Sequence, residues 1–287
     1  MKFFLPAFLI GIFSNLPVGH AQEKSLLWEI SGNGLASPSY LYGTIHMIGK
    51  KDFFVREEVD SAFSKCGQVA FEIDLDDMKE LASMQAWINL PEDLTLDAIM
   101  TADQYNRIKN YFADSLGLDI RDFNHQKPFY LYQQFLFGLE KGEQESYEIY
   151  FLTKSMSEQK PITGLEKISD EFRVIDKMSY AEQIGWVLDG IDSVNAYRDD
   201  FKDLIKAYRD EDLEKLQIML AEDPVVTGEF ETALLTERNQ NWMDEIVTLT
   251  HQMPTFIAVG AMHLPGENGL IHLLSAQGYT VKPVLKN

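Results

Sequence analysis

Two short stretches, Gly43-Thr44-Ile45-His46 and Gly260-Ala261-Met262-His263, each place a histidine three positions beyond a glycine. Each follows an apolar run of strand length, Tyr40 to Ile45 in one case and Thr255 to Val259 in the other. A glycine there lets the backbone turn without a side-chain clash and brings the imidazole over the sheet edge, where it can ligate a metal or move a proton. Either histidine alone reads as a turn residue bonded to a nearby carbonyl. The matched context at both ends of the chain favours a shared role.

Carboxylates occupy the ends of two further apolar runs, Glu72 in Val69-Ala70-Phe71-Glu72-Ile73 and Glu166 in Pro161-Ile162-Thr163-Gly164-Leu165-Glu166. A carboxylate drawn toward a core costs several kcal/mol unless it is paired or bound to a cation. Two imidazoles with one or two carboxylates form the ligand set of many hydrolytic zinc, manganese or cobalt sites. A buried Arg or Lys beside each Glu satisfies the same requirement with equal weight. Asp74, two residues beyond Glu72, is a weaker candidate and serves equally as a helix cap. Arg238 lies on a helical stripe with Leu234, Trp242, Ile246 and Leu249, so its guanidinium faces inward and requires an anion: Glu72, Glu166 or the oxyanion of a substrate. Asn239 beside it can hold a carbonyl or orient a carboxylate. His20, His125, His251 and His272 lack comparable context. Gly266 and Gly269 make a turn before a helix, and one of Tyr40 and Tyr42 is expected to point toward the first histidine turn.

The elements that must position these residues form an α/β (α+β) pattern. A hairpin over Leu26 to Ile45 is followed by a helix around Asp52 to Lys65 and the Glu72 strand. Helix-period segments then dominate: Asp77 to Ile88, Thr101 to Leu116, Pro128 to Leu139, Ser146 to Ser157 and Tyr180 to Leu220. The Glu166 strand interrupts them. A helix from about Gly228 to His251, the His263 unit, a helix near Leu270 to Gln277 and a strand from Tyr279 to Leu285 complete the chain. Strand, Gly-x-x-His, helix, strand thus occurs twice, and the expectation is a central mixed sheet built from two pseudo-repeated units. Their histidines meet beyond the carboxyl ends of the strands, and a large helical layer or cap spans about 76–250.

Lys2 and the apolar run Phe3 to Phe13, followed by Gly19-His20-Ala21, resemble a signal peptide over 1–21, leaving one domain over 22–287. That run is about half of the ~20 residues a bilayer-spanning helix needs, so no transmembrane anchor is expected and the location is periplasmic or secreted. Cys66 is the sole cysteine, so no intramolecular disulfide can form. The formal charge of −20 argues against nucleic acid or anionic membranes as partners.

The landmarks Leu27-Trp28-Glu29-Ile30, Tyr40 to His46, Phe71-Glu72, Gly164-Leu165-Glu166, Arg238-Asn239 with Trp242, and Val259 to Leu264 followed by Gly266 and Gly269-Leu270 together resemble the TraB/GumN family. That family is related to the TIKI metalloproteases and distantly to erythromycin esterase and ChaN-like haem-binding proteins. The resemblance implies a divalent-metal, peptidase-like site in which His46 and His263 match the paired histidines, Glu72 and Glu166 the acidic positions, and Arg238 and Asn239 the polar pair. One departure concerns the segment after Glu166, where the family continues with Thr and a later Gln but this chain has Lys167 and Asp170-Glu171.

The resulting expectation is an exported hydrolase of peptides or small esters and amides. His46, His263 and at least one of Glu72 and Glu166 hold a divalent ion, the remaining carboxylate acts as general base, and Arg238 stabilises the oxyanion. The alternative is a non-catalytic binding protein for a peptide or haem, with His46 beside Tyr40 and Tyr42 as possible axial groups.

Overall fold

The computed structural model describes residues 24–286 apart from 224 and 227, so the expected signal peptide lies outside the described residues. The opening hairpin is β1 (Leu27–Gly32) and β2 (Ser39–Thr44), paired antiparallel. Its turn passes through Gly32, Asn33 and Gly34, all at positive φ, a conformation that glycine and asparagine tolerate. The short β3 (Ile48–Gly49) follows, then α1 (Glu57–Lys65) and β4 (Gln68–Ile73).

The helical middle comprises α2 (Met78–Ile88), α3 (Leu96–Ile99), α4 (Ala102–Tyr111) and α5 (Pro128–Phe137). Next come β5 (Gln144–Glu145), which pairs with β3, and α6 (Tyr147–Ser157). β6 (Ile162–Glu166) interrupts the helices where the sequence places it, and α7 (Ile168–Asp176) follows directly.

The stretch read as one helical segment, Tyr180 to Leu220, is three helices: α8 (Tyr180–Asp192), α9 (Val194–Arg209) and α10 (Leu213–Glu222). Ser193 ends the first, and Glu211 at φ +56° turns the chain between the others. The apolar period runs through both breaks because each helix buries a face, Ile184 and Val187 in α8, Ile205 and Tyr208 in α9, Leu213 and Leu216 in α10. α11 (Gly228–Glu231) runs through one wider turn into α12 (Glu237–Gln252), followed by β7 (Thr255–Gly260), α13 (Leu270–Ala276) and β8 (Tyr279–Pro283). Among the described residues no helix is long and apolar enough to cross a membrane.

The main sheet is mixed, with order β6-β4-β7-β2-β1-β8. β2, β4, β6 and β7 pair parallel, and β1 runs antiparallel to both its neighbours. Parallel neighbours need a long crossover, and nearly the whole helical middle lies between β2 and β7. Those two strands are adjacent, with Thr44 opposite Gly260, so the two Gly-x-x-His turns leave the same sheet edge side by side. The units are alike in order but differ in placement. β4 lies one strand away from β2, across β7, whereas β8 lies at the far edge beyond β1.

The central core includes Tyr42, Phe71 and Phe256 on one face of the sheet, packed with Phe63 of α1 and Tyr147 and Phe151 of α6. A second core, including Ile108, Phe112, Leu131, Phe135 and Val187, lies within the helical middle.

Candidate active site

The motif glycines work by leaving space. Neither has positive φ. A Cβ on Gly43 would stand 3.0 Å from the Cα of Ala261 in the other turn, and one on Gly260 would stand 3.3 Å from Glu72 Oε1. Gly43 therefore allows the two turns to touch, while Gly260 admits the Glu72 carboxylate, which accepts its backbone N–H at 2.7 Å.

His263 is buried on the turn after β7, with its ring centroid 4.4 Å from that of Trp242. Asn239 on α12 anchors it. The Asn239 amide nitrogen donates to the carbonyls of His263 (3.2 Å) and Asn268 (2.8 Å), which fixes the amide orientation and leaves Oδ1 facing His263 Nδ1 at 2.7 Å. An amide oxygen only accepts, so Nδ1 carries the proton and Nε2 presents a lone pair. Arg238 Nη1 lies 3.3 Å from that Nε2, and Glu72 Oε2 lies 4.0 Å from it. Burial, helped by the positive charges of Arg238 and His46 and opposed by Glu72, lowers His263 to about 3, so the ring is neutral at ordinary pH.

Arg238 faces inward, as the stripe on α12 predicts, and engages both acidic strand ends. Its Nε donates to Glu166 Oε1 at 2.8 Å, and its Nη2 donates to Glu166 Oε1 at 2.5 Å and to Glu72 Oε2 at 2.6 Å. Trp242 Nε1 donates to the other Glu166 oxygen at 3.0 Å. The guanidinium lies 4.9 Å from the Trp242 ring centroid. Burial pushes Glu72 upward, but Arg238, His263, His46 and the Gly260 amide overcome it and hold Glu72 at about 2. At Glu166 burial prevails over the same arginine, and the carboxyl is raised.

His46 has different surroundings. Its side chain is 68% exposed, and Nδ1 lies 3.1 Å from Glu148 Oε1 in the first turn of α6. Thr44 Oγ1 and Ser146 Oγ donate to the two oxygens of Glu148 at 2.8 and 2.9 Å. Desolvation by the surrounding protein pushes His46 downward. The hydrogen bond and charge of Glu148, with lesser help from Glu72 and Glu171, overcome that desolvation and raise His46 to about 10.

Two carboxyls not singled out by motif reading join the cluster. Glu148 orients His46. Glu171, in the first turn of α7, is raised to about 7 by burial and by the charge of Glu72, with Arg238 and His46 opposing. The only sequence signal for Glu171 is the departure from the family pattern after Glu166.

Other expectations resolve differently. Asp74 accepts from the Asp76 N–H at 3.2 Å, a local turn, while Asp77 caps α2. Neither flanking tyrosine points at His46. The Tyr40 hydroxyl lies 3.4 Å from Glu29, and Tyr42 packs among Tyr147, Phe151 and Phe256. His251 bonds the Tyr279 hydroxyl at 3.1 Å.

Two donors of the kind that can hold a divalent cation, Glu72 and His263, approach each other at one end of this cluster. Glu72 is ionised, His263 is neutral with Nε2 3.3 Å from Arg238 Nη1 and 4.0 Å from Glu72 Oε2, and His46 has Nδ1 tethered to Glu148 and Nε2 left over. Among the described residues no group of three or more His, Cys, Asp or Glu side chains is gathered tightly enough to hold a metal ion. The convergent pair is Glu72 with His263. Glu166, expected as a ligand or base, has both oxygens engaged by Arg238 and Trp242. Arg238, expected at an oxyanion, has Nε and both terminal nitrogens engaged within the protein.

The chain is similar to metalloprotease TIKI1 of Xenopus tropicalis, at 23% identity over 97% of this chain and 67% of the relative. It is 23% identical to metalloprotease TIKI1 of Danio rerio, over 95% of this chain and 65% of the relative. To metalloprotease TIKI1 of Homo sapiens it is 22% identical, over 91% and 62%. The chain thus spans about two thirds of the length of these relatives. No solved structure matches it. The sequence profile of the TraB/PrgY/gumN family matches residues 26–283, and the chain belongs to that family.

Proposed function

We propose that the protein is a hydrolase of peptide-like amide or ester carbonyls that works with a divalent ion, manganese, cobalt or zinc, held by His46, His263 and Glu72. The observation carrying this reading is that both motif histidines have Nδ1 engaged by an oxygen, of Asn239 and of Glu148, so Nε2 is the ligating atom of each. That of His46 has no protein partner among the described residues, and that of His263 accepts from Arg238 Nη1, which an arriving ion would displace. Metal-binding histidines are commonly oriented through their second ring nitrogen in this way. When bound, the ion supplies Lewis acidity to a substrate carbonyl and to water.

The protein's own groups set the protonation states. Arg238 keeps Glu72 ionised and, with burial, keeps His263 neutral. Glu166 and Trp242 hold Arg238 in place, so in this reading Glu166 and Arg238 are positioning residues. Asn239 fixes the His263 tautomer. Glu171, whose carboxyl is raised to about 7 by burial and by the charge of Glu72, is the candidate to accept and return a proton. The names of the relatives support peptides as the substrate class, and an exported location remains part of the proposal.

The test is metal analysis of the purified protein together with cleavage of a mixed peptide library. His46→Ala with His263→Ala should abolish both metal uptake and cleavage while leaving the fold intact by circular dichroism. Full metal occupancy in that double variant would overturn the proposed ligand set.

A further inference from the structure

A cavity of about 650 Å3 lies between α9 and the loops after β3 and α5. Six cationic side chains line it: Lys51, Lys141, Arg198, Lys202, Lys206 and Arg209. Three carboxylates line it too, Asp52, Glu140 and Asp210. This excess of positive charge occurs in a chain with 25 basic and 45 acidic residues. Arg198, Lys202, Lys206 and Arg209 recur at spacings of four, four and three, so α9 presents them on one face.

The internal ion pairs leave cations over. Lys51 pairs with Glu140 at 3.0 Å, Arg209 with Asp52 at 2.7 Å and Lys206 with Asp210 at 2.6 Å. Asp52 and Glu140 are largely covered, at 15% and 10% exposed, and Glu140 also accepts the Gly49 N–H at 3.0 Å. All three carboxylates are therefore committed. Among the described residues Lys202 pairs only with Asp199, outside the cavity lining, at 2.8 Å and with both side chains largely exposed. Such a pair is weak and easily exchanged. Arg198 and Lys141 form no ion pair among the described residues.

We propose that this cavity binds a multivalent oxyanion, with Arg198, Lys141 and Lys202 as the principal contacts. A planar guanidinium and two mobile ammonium groups around one concavity suit neighbouring phosphate or sulfate oxygens. Phe201 and Ile205 in the wall leave room for an apolar portion of the same ligand. The site also adjoins the first histidine turn from two sides. Lys51 and Asp52 follow His46 closely in the chain, and Tyr208 of α9, on another face, donates to the Gly43 carbonyl at 3.0 Å. The proposal is independent of the hydrolase reading and needs no metal.

Titration calorimetry of the whole protein with pyrophosphate at low and high ionic strength tests it. Binding should occur at low salt, weaken as salt rises, and fall at least tenfold in Arg198→Gln with Lys202→Gln. Because Arg198 is half-buried, a second variant, Lys141→Glu with Lys202→Glu, changes only exposed side chains and should show the same loss. Lys109→Glu, on the exposed side of α4, should bind as the parent does. Co-sedimentation with phosphatidic acid vesicles distinguishes the source of the anion. Binding to pyrophosphate alone identifies a free oxyanion, whereas vesicle binding displaced by pyrophosphate identifies a headgroup. No binding of either at millimolar concentration, or binding unaffected by both double variants, overturns the proposal.

Discussion

The two Gly-x-x-His turns leave adjacent parallel strands at the same edge, yet their imidazoles are held in opposite states. His263 is dry, stacked near Trp242, anchored by an amide and faced by a guanidinium, so it is neutral. His46 is wet and tethered to a carboxylate, so it is protonated. A shared motif therefore specifies where a histidine stands, while its proton is decided by partners from α6 and α12. For the proposed metal site this difference makes His263 a ligand already neutral, whose Nε2 must be released by Arg238, and His46 one that must first lose a proton.

Removing the arginine on the His263 side should have the largest effect. Arg238→Met strands Glu72 and Glu166 without their cation and should cost about 3–5 kcal/mol of folding stability, measured by urea unfolding. Asn239→Ala takes away the His263 anchor and leaves buried polar atoms unpaired, for about 1–3 kcal/mol. It should also weaken metal binding about 10- to 100-fold, read by competition with a chelator. If Asn239→Ala leaves metal affinity unchanged, the oriented-histidine argument fails.

Metal binding should release a proton from the His46 side. Between neutral pH and about 10, affinity should rise about tenfold for each pH unit, as competition with one proton requires. Calorimetry in buffers of different ionisation heat reports that proton directly.

Acid should act chiefly through the other side. In metal-free protein His263 falls from its ordinary 6.5 to about 3 and Glu72 from 4.5 to about 2. Both stabilise the fold above those ordinary values, and the contribution is lost as pH falls through the depressed ones. His46 has the reverse sign, with its contribution present below 6.5 and lost as pH rises through about 10. Urea midpoints followed across the pH range should therefore drop steeply on the acid side. The gentlest perturbation is Glu148→Gln, which should bring His46 down toward its ordinary value by nuclear magnetic resonance titration while changing stability little, since the His46 side chain is open to solvent and a glutamine keeps an oxygen for Thr44.

Much of this arrangement was legible in the residues. Two apolar runs ending in Gly-x-x-His announced β2 and β7, and the four- and three-residue spacing around Arg238 announced an inward guanidinium. The carboxylate at the end of β4 and that at the end of β6 required a cation, although sequence left open whether a metal or an arginine supplied it. Glu148 was not legible, because it meets His46 across 102 residues and at its own position looks like an ordinary acidic residue in a helix's first turn. The breaks between α8, α9 and α10 were hidden because each helix continues an apolar period, and the decisive feature at Glu211 is a backbone angle.

Sequence by itself determined the mixed α/β pattern, the candidate residues and the inward face of α12, because alternation, helical period and glycine placement are local properties. Only the tertiary structure decided that β2 lies beside β7, that one arginine serves both glutamates, and that the two histidines differ in protonation. Those outcomes depend on burial and on charges brought together from distant parts of the chain, and neither is encoded at the position where its effect is felt.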